Sequence, residues 1–507
     1  MIQLKLKSAI DQVGAYLGTR ILLKRLVGGA LWSLIGGILT RLFAMLTNIA
    51  IARMLGREDF GAYGILVSTL ETFSLFGGLA LGFTIIKFTA EYRKSDPKKA
   101  GIFIGAAVML SYGSAALIAA SLFLLSNHLA GTVLNRPDLG GLLRIGAFYM
   151  FVRTVNNIQL GSLAGLEAFR ETAKINAITG LLTPAMTIPA VYFLDLTGAM
   201  FSLVSVSFIG YAYCRKVFKS KCTAYGIKVK FMNREALTAI RPVLSFAIPA
   251  FLSGVMLIPV SWLSNAILAQ QPNGYNELGN FNAANQWRQF VIFIPTTMSA
   301  AMLAITSDTF ANKGRAAYRQ AYFMNMKLIW SYALPATVLT VMFGGPLNRL
   351  FGEKFMGAEV LIAPLIVAAF FSVLNTAASP TVTGAGRMKA DLAINSIWAM
   401  LMLGTSFWLI PSYRAMGLAW ATLFAGMGYA TLRIVYIDRK LIPGSLAEFR
   451  LLILLSVMTL SPLVILTGNG KFNIYWGFFL TLLSAIPLLQ KILRILMPKG
   501  LKATSIS

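Results

Sequence analysis

Apolar residues along this chain gather into runs of about 20, separated by short polar stretches, from position 26 to position 496. A helix rises ~1.5 Å per residue and the hydrocarbon core of a bilayer is ~30 Å thick, so each run is one crossing long. None shows the period-2 alternation of an outer-membrane barrel. The pattern predicts an all-α polytopic membrane protein. About fourteen transmembrane helices are expected, near 26–53, 61–84, 101–126, 141–164, 175–195, 198–218, 243–269, 281–305, 327–350, 358–378, 388–411, 415–437, 449–467 and 474–496.

Polar stripes at helical period cross several of these spans. Arg41 lies mid-span 1 on a stripe with Ser33, Gly37, Thr40, Thr47 and Asn48. Arg153 lies mid-span 4 and is followed by Asn156, Asn157 and Gln159. Arg288 stands in span 8 among Asn282, Asn285, Gln286 and Gln289. Glu71 is mid-span 2, with Gly64, Ser68, Ser74 and Gly78 at helical spacing. A charge near mid-bilayer costs several kcal/mol, so each of these is expected to face protein or water.

Three deep arginines against one deep glutamate leave a cationic surplus, which points to an anionic cargo. Guanidinium forks bind phosphate oxygens bidentately and stay protonated, so a diphosphate fits. Arg41, Arg153 and Arg288 are therefore the candidate substrate-binding residues of the lumen, with Glu71 as a candidate coupling group or ion-pair partner. The competing structural reading is that an arginine pairs with Glu71 and cements helix packing. Arg144 is a weaker candidate: nine residues from Arg153, about 900° of helix rotation, it falls on the opposite face of span 4. Asn48, Asn156, Asn157, Asn285 and Gln289 complete the second rank.

Composition agrees with the membrane reading. Hydrophobic residues make up 57% of the 507 and charged residues 12%, against about 25% charged in soluble domains, and mean hydropathy is +0.70. The formal charge of +27 need not mean nucleic acid, because Lys and Arg accumulate in cytoplasmic loops. With the N-terminus placed inside, 34 of the 45 Lys and Arg fall on the cytoplasmic side. Only seven fall outside: Arg53, Arg57, Arg136, Arg349, Lys354, Arg414 and Lys471. Both termini are thus expected to be cytoplasmic.

Other chemistry is sparse. Cys214 and Cys222 sit at a span end and suggest no structural disulfide, and the single histidine, His128, placed in a loop, makes no metal cluster with them. Neither a phosphate-binding G-x-x-x-x-G-K-[ST] loop nor a nucleophile–base arrangement occurs, so no enzyme activity and no cofactor are expected.

The chain also repeats itself. Gly56-Arg-Glu-Asp59-Phe60-Gly61-Ala-Tyr63 recurs as Gly274-Tyr-Asn-Glu277-Leu278-Gly279-Asn-Phe281, about 218 positions later. Asn156, Gly165, Arg170 and Asn176 recur as Asn375, Gly384, Lys389 and Asn395, and Gly198 as Gly417, about 219 positions later. Six helices per copy is an even number, so the copies enter from the same side as parallel repeats. The expected layout is a cytoplasmic amphipathic N-terminus (1–25), an N-lobe (26–218), a basic linker (219–242), a C-lobe (243–440), and two extra helices with a tail (441–507). Two pseudo-symmetric six-helix lobes would face a central cavity.

The segment from Arg41 to Lys94, with ARMLGREDFGAYGILVSTLETFSLFGGLALGFTIIKF, resembles the opening of Wzx-type polysaccharide transporters of the multidrug/oligosaccharidyl-lipid/polysaccharide exporter superfamily. NNIQLGSLAGLEAFR and ANQWRQFVIFIPTTMSAAMLAITSD are similar to the same family. The resemblance implies a flippase in the bacterial cytoplasmic membrane. Its cargo would be an undecaprenyl-diphosphate-linked oligosaccharide for O-antigen, capsule or exopolysaccharide synthesis, and its partners membrane lipids and a polysaccharide polymerase. H+ or Na+ coupling is implied as well, although only Glu71 is deep, with Asp195, Asp308 and Asp391 near span ends. A cation-coupled multidrug antiporter shares the expected fold, but an arginine surplus would repel its usual cargo. A lipid II flippase is the nearer alternative.

Overall fold

The computed structural model describes residues 2–229, 234–468 and 480. Span 14 apart from Leu480, the C-terminal tail and the side chains of residues 1–35, including any amphipathic face over 1–25, lie outside the described residues. Among the described residues the secondary structure is helical throughout. The first helices are α1 (Ile2–Gly78), α2 (Leu81–Tyr92), α3 (Pro97–His128), α4 (Leu139–Gly165), α5 (Phe169–Ala224), α6 (Arg234–Gly254) and α7 (Leu257–Ala269). They are followed by α8 (Gly274–Asp308), α9 (Gly314–Met342), α10 (Gly344–Arg349), α11 (Ile362–Gly384), α12 (Met388–Tyr436), α13 (Ser445–Glu448) and α14 (Arg450–Gly468). His128 closes α3 rather than standing in a loop.

Six segments are long and apolar enough to cross a membrane, and three of them, of 43, 56 and 54 residues, exceed twice the length one crossing needs. Pairs of predicted spans run through as single helices with one non-helical residue between them. Those residues are Gly56 in α1, Asp195 in α5 and Arg414 in α12. The short polar junctions that read as loops are sharp corners instead.

The chain divides into two compact units. The first comprises 1–48, 70–127 and 140–252. Its core gathers Leu81, Ile85, Ile104, Leu163 and Val243 from α2, α3, α4 and α6, and Phe88 stacks on Phe103 with centroids 4.3 Å apart.

The second unit comprises 49–69, 128–139 and 253–507. At its centre is α11, whose most apolar window is 83% buried, which makes it a helix enclosed by neighbours rather than one facing lipid. The α1 segment 49–69 is built into this unit. Trp262 Nε1 donates to Thr69 Oγ1 at 2.8 Å, Arg53 Nε donates to the Leu350 carbonyl at 2.7 Å, and Phe60 meets Phe355 edge-on at 5.9 Å.

The internal repeat reappears in the backbone. Asp195 (φ 48°) and Arg414 (φ 50°) carry the same left-handed kink at equivalent positions. Just beyond each kink comes Gly198 or Gly417, where a Cβ would stand 1.8 Å from the Ala190 carbonyl oxygen or 2.3 Å from that of Leu409. A reciprocal crossing occurs where α1 meets α8. A Cβ on Gly61 would lie 2.0 Å from the Tyr275 carbonyl oxygen, and one on Gly279 would lie 2.0 Å from the Arg57 carbonyl oxygen. Residue 57 is to 61 as residue 275 is to 279, so the two copies of the motif clasp each other about a local two-fold.

Neither backbone can yield to a methyl group there. Gly61→Ala is expected to destabilise the protein by about 1–3 kcal/mol, the usual range for overpacking. Thermal melting of the detergent-solubilised protein checks this, with Gly113→Ala, where a Cβ meets nothing within 4 Å, as the control. Equal melting temperatures for the two variants would refute the close crossing.

Candidate functional site

In the first unit, α1 and α4 bring Glu71 and Arg153 together. Arg153 Nη2 lies 3.2 Å from Glu71 Oε1, and its Nη1 donates to the Tyr149 hydroxyl at 2.5 Å. Tyr149 sits one turn before Arg153 on α4, so the phenol supports the guanidinium from its own helix face. One turn is also enough to bring Arg153 over the Tyr149 ring, 5.7 Å from its centroid. Next to this pair Ser74 and Thr154 share a hydroxyl–hydroxyl hydrogen bond of 2.9 Å, tying α1 to α4.

The arginine–glutamate pair is not sealed inside the helices. The side chains of Arg153 and Glu71 keep 45% and 42% of their surface, so each retains donors or acceptors for a further group. Arg41, on the preceding stretch of α1, is half-buried and interacts electrostatically with the same Glu71. Arg41 and Arg153 therefore both interact with the Glu71 carboxylate.

Arg144 does not join them. Its Nε donates to Ser126 Oγ at 3.1 Å and its guanidinium lies over the Phe123 ring at 5.7 Å, on the α3 side of α4. Asn156 is half-buried, with a buried Oδ1 that no described residue satisfies, Asn157 is exposed, and Asn48 is half-buried on α1.

The second unit holds Arg288. Its Nη1 reaches Asn285 Oδ1 at 3.3 Å and its Nη2 reaches Ser372 Oγ at 3.4 Å. Both bonds are long for charge-assisted ones. No carboxylate pairs with Arg288 among the described residues, and its buried Nε has no acceptor there. Gln289, half-buried beside it, engages other groups. Two helix turns toward the start of α8, Asn280 Oδ1 and Asn282 Nδ2 are buried without partners among the described residues as well.

One charged group escaped the sequence reading. Arg433 of α12, counted there among the cytoplasmic loop cations, is 2% exposed. Its Nη2 lies 2.7 Å from Asp391 Oδ1 and 3.1 Å from Asn395 Oδ1, and its Nη1 reaches the Asn375 carbonyl at 3.5 Å. Asn375 and Asn395 are two of the positions that the duplication had singled out. Their N-lobe counterparts, Asn156 and Asn176, have Cys214 where the arginine stands and Thr172 where the aspartate stands, so the first copy lacks this ion pair.

The family model described as polysaccharide biosynthesis protein matches residues 26–309, and the chain belongs to that family. It is 22% identical over 365 residues to the EPS I polysaccharide export inner membrane protein EpsE of Ralstonia nicotianae, covering 71% of this chain and 82% of that one. An uncharacterized membrane protein of Methanocaldococcus jannaschii is 22% identical over 472 residues, covering 87% and 90%.

Among solved structures, the lipid II flippase MurJ in an inward closed conformation superposes with a TM-score of 0.66 at 14% identity, covering 92% of this chain and 99% of that one. An inward-facing multidrug resistance MATE family transporter of the MOP superfamily gives 0.66 at 16% identity, covering 80% and 97%. A MOP superfamily transporter from Pyrococcus furiosus, whose binding pocket is described as having reverse polarity, gives 0.62 at 17% identity, covering 87% and 96%. The fold is MATE-like, and the protein is a multi-pass inner-membrane transporter of the polysaccharide biosynthesis family. The resemblance to Wzx-type transporters holds.

Proposed function

We propose that this protein is a flippase that carries a polyprenyl-diphosphate-linked oligosaccharide from the inner to the outer leaflet by alternating access between two six-helix lobes. The observation that carries the reading is the Arg288 guanidinium, whose charge no carboxylate among the described residues offsets. Arg41 and Arg153 share one carboxylate, and Arg288 has none among the described residues. Arginine holds its proton even in a low-dielectric site, so the Arg288 charge persists through the cycle and calls for an anion. In this reading Arg41, Arg153 and Arg288 bind the diphosphate, and fourteen helices run with both ends in the cytoplasm. A polysaccharide polymerase receives the product. Glu71 couples transport to H+ or Na+; a Glu71→Gln protein that keeps full ion-dependent transport would remove it from that role.

The decisive experiment reconstitutes the full chain in proteoliposomes and follows a fluorescent polyprenyl-diphosphate oligosaccharide between leaflets. Protein-dependent transfer supports the flippase. Transfer of lipid II alone would reassign it to peptidoglycan precursors. Export of a cationic dye without glycan transfer would place it with the drug antiporters.

A further inference from the structure

One cavity lies wholly within the first unit and is lined by none of Arg41, Glu71 and Arg153. It has a volume of about 610 Å3 and is lined by residues of α3, α4 and α5 and of the segment following α5. That size is within the ~300–1,000 Å3 of pockets that take small ligands. Its chemistry changes from one part of the wall to the next. Arg215 and Lys219 stand one helical turn apart on α5 and supply two positive charges. Arg215 Nη1 donates to the Tyr211 hydroxyl at 2.8 Å, and Tyr211 shares a hydrogen bond of 2.7 Å with the Tyr112 hydroxyl, so the guanidinium is held in place by a chain of phenols. Val108, Val155 and Phe218 form an apolar wall.

Gln159 of α4 also lines the cavity. Its side chain is 6% exposed, and its buried Oε1 accepts no hydrogen bond from any described residue. A buried acceptor left without a donor is costly, so a group that donates to it is favoured on binding. The occupant therefore needs three features together: negative charge for Arg215 and Lys219, a hydroxyl or other donor for Gln159, and apolar surface for the valine and phenylalanine wall.

We propose that this cavity binds the head group of a membrane phospholipid that is both anionic and hydroxylated, such as phosphatidylglycerol, as a lipid site separate from the cargo path. A zwitterionic choline head group offers neither net charge nor donor. A phosphodiester without hydroxyls satisfies the cations and leaves Gln159 unpaired. Because none of the proposed cargo arginines lines the site, it stands whether or not the cargo is a lipid-linked glycan.

Native mass spectrometry of the delipidated full-length protein tests this with four lipids: phosphatidylglycerol, phosphatidylmethanol, phosphatidylcholine and a polyprenyl diphosphate. Phosphatidylglycerol is expected to bind at least ~10-fold more tightly than phosphatidylcholine, with phosphatidylmethanol between them. Arg215→Gln combined with Lys219→Gln should weaken phosphatidylglycerol about 10-fold. Gln159→Leu should bring phosphatidylglycerol down to the phosphatidylmethanol level without changing phosphatidylmethanol itself. Melting curves of the lipid-free variants establish that they fold. Equal binding of all phospholipids, or insensitivity to the three substitutions, overturns the site. Competition by inorganic phosphate alone at the same concentration would make it a bare anion site instead. Displacement of phosphatidylglycerol by polyprenyl diphosphate, mole for mole, would overturn the phospholipid assignment and place the cavity on the cargo route.

Discussion

Arg153→Ala is expected to lower translocation of a polyprenyl-diphosphate glycan by about 10- to 100-fold. A hydrogen bond to a charged group contributes about 1.5–3 kcal/mol, and each ~1.4 kcal/mol is tenfold. The geometry adds a second effect of the same sign. Arg153 lies 3.2 Å from Glu71, so its removal strips a partner from that carboxylate and leaves an acidic group in the path of an anion. The structural alternative, in which the pair only fastens α1 to α4, predicts something different. If packing is all that Arg153 supplies, Arg153→Met with Glu71→Met removes both charges and should restore transport, because an ion pair this exposed contributes only about 0–1 kcal/mol. If Arg153 binds the diphosphate, the double variant stays inactive while its melting temperature recovers. Transport and stability are thus separable in one pair of proteins. Arg41→Ala is expected to be less severe, since Arg153 remains beside Glu71. Arg144→Ala, whose guanidinium bonds to Ser126 on the far side of α4, should transport at nearly the wild-type rate. A large loss in Arg144→Ala alone would move the cargo path to the α3 face.

Which of these features the sequence could show depends on how far apart the interacting groups lie along the chain. Helical periodicity is local, and it correctly put Arg144 and Arg153 on different faces of one helix. It also set Glu71 and Arg41 on polar stripes, because a stripe is visible within a few turns. Whether Glu71 would pair with Arg153 was not visible, since that needs the register of α1 against α4 across 82 positions. The junctions at Asp195 and Arg414 read as loops because polar residues interrupt apolar runs there. A single residue at positive φ does the work of a loop, and nothing in a hydropathy pattern distinguishes the two.

The internal repeat was legible at its glycines and asparagines, and the structure supplies the physical reason for some of them. Gly61 and Gly279 recur because each faces a backbone carbonyl of the other copy, where no side chain fits. Asn375 and Asn395 contact Arg433, but the repeat could not reveal the arginine, because its counterpart is Cys214 and the similarity breaks at that position. Arg433 was instead assigned to a loop by the charge count. That count treats any cation near a span end as solvated, and a buried ion pair defeats it.

Breaking that pair should produce the largest loss of stability in the protein. Arg433 is 2% exposed, and the Asp391 side chain keeps 14% of its surface, so neither charge can turn to water when the other is removed. Arg433→Met is expected to cost about 3–5 kcal/mol, the range for leaving one member of a buried pair uncompensated. Asp391→Asn should cost about as much, because Arg433 keeps its proton and is left buried without a counter-charge. The compensating variant, Arg433→Met with Asp391→Leu, should recover most of the loss, since it removes the desolvation penalty together with the attraction. Asn395 and the Asn375 carbonyl would still lose a donor, so recovery should stop short of wild type. Melting temperatures in one detergent, read alongside glycan translocation, decide between a staple and a functional charge. A compensated protein that melts normally and transports normally makes the pair a staple of the second unit. One that melts normally but does not transport would mean that the cycle needs this charge pair, through an exchange of partners between Asp391, Asn395 and the Asn375 carbonyl as the lobes rock.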